Sequence, residues 1–179
     1  VLNLVSNQFN RISMISPVSQ KVTIGTNAWI SINLGAGTNI EKSHLTEFLI
    51  RINYDQTFLE LLDETIKTGA LTSGRFRISS VDSWRDDGLL EIRLEAVGNN
   101  ILSGTGSLVE MEFKTYLPFE ENEALVSHEI IPLDNPCVVF EPRNGNISIQ
   151  PVCLDDMRKI IISDSQTQLV SITPNPATF

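Results

Sequence analysis

Along most of this chain apolar and polar residues alternate with a period of two, the pattern of strands buried on one side. In AWISINL, Ile30, Ile32 and Leu34 take one side and Trp29, Ser31 and Asn33 the other. In GSLVEMEFKTYL (Gly106–Leu117), Val109, Met111 and Phe113 share a face, while Glu110, Glu112 and Lys114 form an opposite, wet one. Phe48, Ile50, Ile52 and Tyr54 repeat the alternation within Leu45–Tyr54. Further runs are ISMIS, KVTIG, ALVSHEIIPL, CVVFEP, NISIQPV, KIIIS and QLVSI. The segment Arg75–Gly98 reads as a hairpin, with Asp87-Gly88 as a two-residue turn between two alternating halves.

After Tyr54-Asp55 the alternation gives way to Phe58, Leu59, Leu61 and Leu62 interspersed with Glu60, Asp63 and Glu64. Two readings compete: a cluster of site carboxylates, or the corner at which a strand leaves one sheet and the chain re-enters the core. Thr57–Thr65 reads as one short turn or helix and Asp155–Ile160 as another, since neither sustains a 3.6-residue period. About ten short β runs separated by turn residues predict an all-β sandwich or jelly roll. On that architecture Asp55 is a turn residue and the later acids are the wet side of a corner.

The 179 residues suffice for one domain with a full core, and no Gly/Ser- or Pro-rich linker divides the middle. Thirteen basic against 22 acidic residues leave a net charge of −9, which argues against nucleic acid or an anionic membrane surface as partner. Every apolar run is far shorter than the ~20 residues of a spanning helix. The start, VLNLVSNQFN, lacks a methionine and a basic leader, and so reads as a mature or trimmed chain.

Catalytic chemistry finds little to work with. A hydrolytic triad needs a histidine held between a nucleophile and a carboxylate. The two histidines, His44 and His128, read as surface or strand-end residues, and no serine lies in a G-x-S-x-G elbow. SGTGS (Ser103–Ser107) lacks the lysine of a phosphate loop and leads into a strand, so it reads as a turn. The acids of DSWRDDG (Asp82–Gly88), with Asp55, Asp63 and Glu64, read as solvated turn residues. Calcium is the alternative use of their oxygens, although no D-x-[DN]-x-[DN]-G loop is present. The expectation is a chain that is not an enzyme and carries no cofactor. Trp29, on the outer face of its strand, and Trp84, beside the hairpin turn, are candidate contact residues for a sugar or a protein, unless a neighbouring side chain covers them.

Cys137 and Cys153 flank Asn144-Gly145 almost symmetrically. If the two runs form a simple hairpin the cysteines lie opposite each other and bridge, as suits an exported protein; two buried thiols are the alternative. Asn146-Ile147-Ser148 matches a glycosylation sequon, which matters only in a host that reads it.

Four segments in order resemble the cohesin family of bacterial extracellular modules: IGTNAWISINL (Ile24–Leu34), FLIRINYDQTFLELLD (Phe48–Asp63), SGTGSLVEMEFK (Ser103–Lys114) and GNISI (Gly145–Ile149). The match covers roughly residues 10–150. The resemblance implies a jelly-roll sandwich of about nine strands and a non-catalytic binding role. Cohesins bind dockerin modules through one sheet face, and carbohydrate-binding modules share the architecture, so fold alone does not choose between protein and polysaccharide. LVSITPNPATF (Leu169–Phe179) resembles the opening of the C-terminal sorting domain of type IX secretion cargo in Bacteroidetes-like, Gram-negative bacteria.

Together these imply a cohesin-like sandwich over 1–152 and, over 153–179, a linker with a strand-like extension that opens a sorting-type segment. The expected product is an extracellular or cell-surface module that binds another protein or copies of itself, for adhesion or for filament or scaffold structure. A polysaccharide is the alternative ligand. The faces bearing Trp29, Ser31 and Asn33, or Glu110, Glu112 and Lys114, and the exposed Trp84, are the candidate contact surfaces.

Overall fold

A computed structural model describes residues 10–15, 20–23, 25–35, 40–116, 123–135, 138–141, 145–150, 161–163 and 166–168. Its strands are β1 (Asn10–Ile15), β2 (Gln20–Thr23), β3 (Asn27–Leu34), β4 (Glu47–Tyr54), β5 (Leu59–Thr68), β6 (Phe76–Trp84), β7 (Leu89–Ala96), β8 (Gly106–Thr115), β9 (Glu123–Pro132), β10 (Val138–Glu141), β11 (Gly145–Gln150), β12 (Ile161–Ser163) and β13 (Gln166–Gln168). One sheet runs β10-β1-β3-β8-β5 and the other β2-β11-β9-β4-β7-β6, while β12 and β13 form a separate pair. Neighbours are antiparallel except β1 with β10 and β2 with β11. The expected all-β sandwich of about nine strands is therefore present. Its first and last runs are each divided between the two sheets, β1 and β2 at one end of the sequence, β10 and β11 at the other.

The period-two pattern fills the core. Ala28, Ile30, Ile32 and Leu34 of β3 and Met111 and Phe113 of β8 face Phe48, Ile50 and Ile52 of β4 and Leu90, Ile92 and Leu94 of β7, all buried. Tyr54 meets Phe113 edge-on at 4.9 Å between ring centroids and so joins the two sheets.

Three expectations are corrected. The Thr57–Thr65 segment is not helical: after a turn it lies mostly within β5, in the sheet opposite β4. Asp55 makes the corner, its carboxylate accepting the Thr57 N–H at 2.8 Å and the Thr57 hydroxyl at 2.6 Å. Phe58, Leu59 and Leu61 then re-enter the core. The β5–β8 register shifts between Leu62 and Lys67. There the Thr65 hydroxyl stands in for the ladder, accepting the Glu112 N–H at 2.8 Å and donating to the Leu62 carbonyl at 2.6 Å.

Second, the β6–β7 hairpin does not turn on two residues. Trp84 pairs with Leu89, so the loop is Arg85–Gly88, a 3-10 turn closed by Gly88 at φ 61°. Gly88 is required there, because a Cβ would overlap the carbonyl oxygen of Tyr54. Third, the runs flanking Asn144-Gly145 are not a simple hairpin. β10 pairs with β1 in one sheet, and β11 with β9 and β2 in the other. Cys137 and Cys153, with the proposed bridge between them, lie outside the described residues, as do Asp155–Ile160 and Leu169–Phe179.

Candidate protein-binding faces

On the outer side of the five-stranded sheet, cross-strand register brings most of the sequence-expected residues together. Trp29 pairs with Glu112, Ser31 with Glu110 and Asn27 with Lys114. Asn33 pairs with Ser107 beyond a register shift. From β5, Lys67 extends over the Trp29 ring, its Nζ 4.6 Å from the centroid and 3.7 Å from Glu110 Oε2. Trp29 is thus half-buried beneath a neighbouring lysine. Glu110 also accepts the Ser107 hydroxyl at 2.9 Å, and Glu112 accepts the Asn27 side-chain N–H at 2.9 Å. At the end of β8, Lys114 Nζ lies 5.4 Å from the Tyr116 ring centroid and the Tyr116 hydroxyl donates to Glu60. That hydrogen bond to a carboxylate raises the Tyr116 pKa.

Trp84 does not join this group. It lies at the end of β6 in the six-stranded sheet, 44% exposed. The outer side of that sheet carries an ionic array the sequence reading did not single out. Arg51, central on β4, places Nε 2.7 Å from Glu91 on β7 and Nη1 3.3 Å from Glu129 on β9. Arg93 donates to Glu47 at 2.5 Å and approaches Glu95 at 4.0 Å, while Arg77 on β6 reaches Glu95 at 2.9 Å. The hydrogen bond from Arg77 holds the Glu95 carboxyl below the usual range, and the one to Glu91 raises the Arg51 guanidinium. Leu125, 53% exposed, adds an apolar point on β9. Each arginine occupies an outward position of its strand, which the alternation in Leu45–Tyr54 and Arg75–Gly98 made readable. Their partners depend on register between strands distant in sequence.

At the corner between the sheets, Tyr54, Gln56, Leu59, Glu60, Leu61, Arg85 and Tyr116 line a shallow cleft of ≈ 290 Å³. Arg85 is held there by Asp63 at 2.5 Å. Among the described residues no group of three or more His, Cys, Asp and Glu side chains is placed to hold a metal ion. No helix among them is long and apolar enough to cross a membrane. His44 is exposed in a turn, at φ 49°. His128 corrects the surface reading: it is 3% exposed, inside the sandwich on β9, and among the described residues neither ring nitrogen has a hydrogen-bond partner. Burial lowers its pKa from the ordinary value. Ala124, Val126, His128 and Ile130 alternate on one face, so the inward position was legible in ALVSHEIIPL.

Neither a protein-family model nor a curated protein matches the sequence. Solved structures do match by shape. The cohesin module of a Clostridium perfringens family 33 glycoside hydrolase superposes with a TM-score of 0.63 at 12% identity, over 79% of this chain and 98% of its own. The sixth cohesin of Acetivibrio cellulolyticus scaffoldin B, solved in complex with a mutant Cel5 dockerin, gives 0.58 at 19% identity, over 79% of this chain and 99% of its own. The seventh ScaB type I cohesin from Pseudobacteroides cellulosolvens gives 0.57 at 12% identity, over 84% of this chain and 99% of its own. At these identities the likeness concerns architecture, and the architecture of this chain is that of the cohesin β-sandwich.

Proposed function

We propose that this chain is a non-catalytic, exported assembly module that docks a folded protein partner, dockerin-like in its role, on an outer sheet face. The observation that carries the reading is the arginine–glutamate array of the six-stranded sheet. Arg51, Arg77 and Arg93 stand on three adjacent strands, on the face whose rim holds exposed Trp84. Arginine and tryptophan are the residues most enriched where protein interfaces concentrate their energy. The internal ion pairs of these arginines lie at the surface and are at least partly open to solvent, where such pairs contribute little, so exchanging them for a partner's carboxylates costs little. Support from outside the chain is that modules of this shape have been solved in complex with dockerins.

The same reading takes 1–152 as the sandwich and 153–179 as a linker leading into a sorting segment for export to the cell surface. It is supported by β11 being the last sandwich strand among the described residues and by the sequence of the tail. A polysaccharide ligand rests on Trp84, because the Trp29 ring is already covered by Lys67.

The test is capture from the surface fraction of the source organism with three baits: the wild-type chain, Arg51→Glu/Arg93→Glu, and Glu110→Arg/Glu112→Arg. The expected result is one protein partner held by the first and third baits and lost by the second. Loss with the third bait alone moves the site to the Trp29 face. Recovery of the chain free of any protein partner refutes the reading.

A further inference from the structure

The free edge of β6 presents a self-complementary surface. This nine-residue strand is the rim of the six-stranded sheet and has β7 as its neighbour, so among the described residues its backbone groups directed away from β7 have no ladder partner. Long edges of this kind recruit further strands unless proline, charged side chains, a bulge that twists the edge away or a cover prevents it. β6 contains neither proline nor lysine; its two charges, Arg77 and Asp82, are of opposite sign, and its bulge lies near its middle.

Its register with β7 sets which way each residue faces. Ile78, Val81 and Ser83 pair with the buried Leu94, Ile92 and Leu90, so they lie on the inner side. Arg77, Asp82 and Trp84 pair with Glu95, Glu91 and Leu89 on the outer side. Ser79 is the bulged residue between the two halves. Two features on this edge lack a counterpart among the described residues. Val81 is 40% exposed despite its inward position. Asp82 stands directly opposite another acid, Glu91, an unfavourable like-charge pair, and among the described residues no cation reaches it.

We infer that β6 is a homodimerisation strand, two copies pairing antiparallel about a two-fold axis between Ser79 and Ser80. In that register each Ile78 meets the partner's Val81 on the inner side, and each Arg77 meets the partner's Asp82 on the outer side. The bulges fall at the axis, where they interrupt neither half of the ladder. Because the bulge reverses the alternation, neighbouring registers mismatch faces: a two-residue slip sets Val81 against Ser80 or Ile78 against Ser79. The contact is isologous, as closed dimers require. It places an incoming guanidinium beside the Asp82–Glu91 pair and covers Val81. The two six-stranded sheets become continuous, so their outer faces join into one surface. The inference needs only the edge and stands whether or not the outer face docks a partner.

Sedimentation equilibrium of the purified chain, up to about 1 mM, tests it. The wild type is expected to dimerise with concentration. Asp82→Arg and Arg77→Asp, each checked for an unchanged circular-dichroism spectrum, are expected to weaken association about tenfold or more. An equimolar mixture of the two variants is expected to regain it, because each then offers the other the missing opposite charge. A wild type that stays monomeric throughout, a dimer indifferent to both reversals, or a mixture that fails to recover would each overturn the inference.

Discussion

Replacing His128 by leucine is expected to stabilise this protein and to flatten its response to mild acid. The imidazole lies on the inner side of β9, opposite Ile52 of β4 and flanked by Val126 and Ile130, all buried apolar residues. Among the described residues both ring nitrogens are without partners, and burial lowers its pKa with no charged side chain among them to offset the loss of water. An unmet buried polar group costs ~1–3 kcal/mol, and an apolar side chain of similar size removes that cost. His128→Leu should therefore gain about 1–3 kcal/mol near neutral pH. The pH dependence follows from the direction of the shift. Because the folded state holds the proton less well than the unfolded chain, unfolding takes up a proton once the pH falls below the ordinary histidine value of 6.5. Stability contributed by the neutral form is complete above that value and declines on acidification through and below it, by up to ~1.4 kcal/mol per pH unit. Urea unfolding followed by tryptophan fluorescence between about pH 7.5 and 5.5, above the main carboxylate range, measures both effects. The wild-type midpoint should drop across that interval and the leucine variant's should hold. Parallel curves, or a leucine variant less stable than wild type, would refute the reasoning.

Two further substitutions probe the β5 region. Gly69→Ala sets a Cβ 2.6 Å from the Ser107 hydroxyl and 2.5 Å from its carbonyl carbon, where backbone cannot give way. It should lower stability by ~3 kcal/mol or more, read as a drop in thermal midpoint; a loss under ~1 kcal/mol would mean the turn relaxes freely. Thr65→Val removes the hydroxyl that serves both Glu112 and Leu62, and should cost ~1–3 kcal/mol in urea unfolding with faster exchange of the Glu112 amide. Unchanged exchange at Glu112 would show that the bulge does not depend on this side chain.

Of the sandwich strands, β5 is the one the period-two pattern misassigned, because apolar residues stand on either side of its alternating pair. Leu59 and Leu61 alternate correctly, but Phe58 is buried in the turn before them and Leu62 is half-buried, so four apolar residues blur the period. What the pattern could not carry was pairing. The sequence placed Arg51, Arg77 and Arg93 on outward positions, yet Arg51 finds Glu129 across 78 residues of chain. That neighbour is fixed by the order of β9, β4 and β7 in the sheet. The same limit applies around Asn144-Gly145, where local symmetry suggested a hairpin. The parallel pairing of β10 with β1 and of β11 with β2 draws the two runs into different sheets instead. Alternation reports which side of a strand is wet; it does not report the strand beside it.

That division between face and neighbour also separates stability from binding in this fold. Inward residues such as Phe113 and Ile52 are fully buried and serve the core, so truncating them costs several kcal/mol whatever the partner. The outward arginines of the six-stranded sheet make surface ion pairs at least partly open to solvent, whose loss costs the fold little. Their substitution can therefore change recognition while leaving the unfolding curve nearly unmoved. Thr65 crosses the division. Its hydroxyl replaces a backbone link at the bulge that precedes Lys67, the residue covering Trp29. A change there disturbs both the ladder and the covered tryptophan. If binding responds to Thr65→Val as strongly as to the arginine reversals, the Trp29 face belongs to the interface; if stability alone responds, it does not.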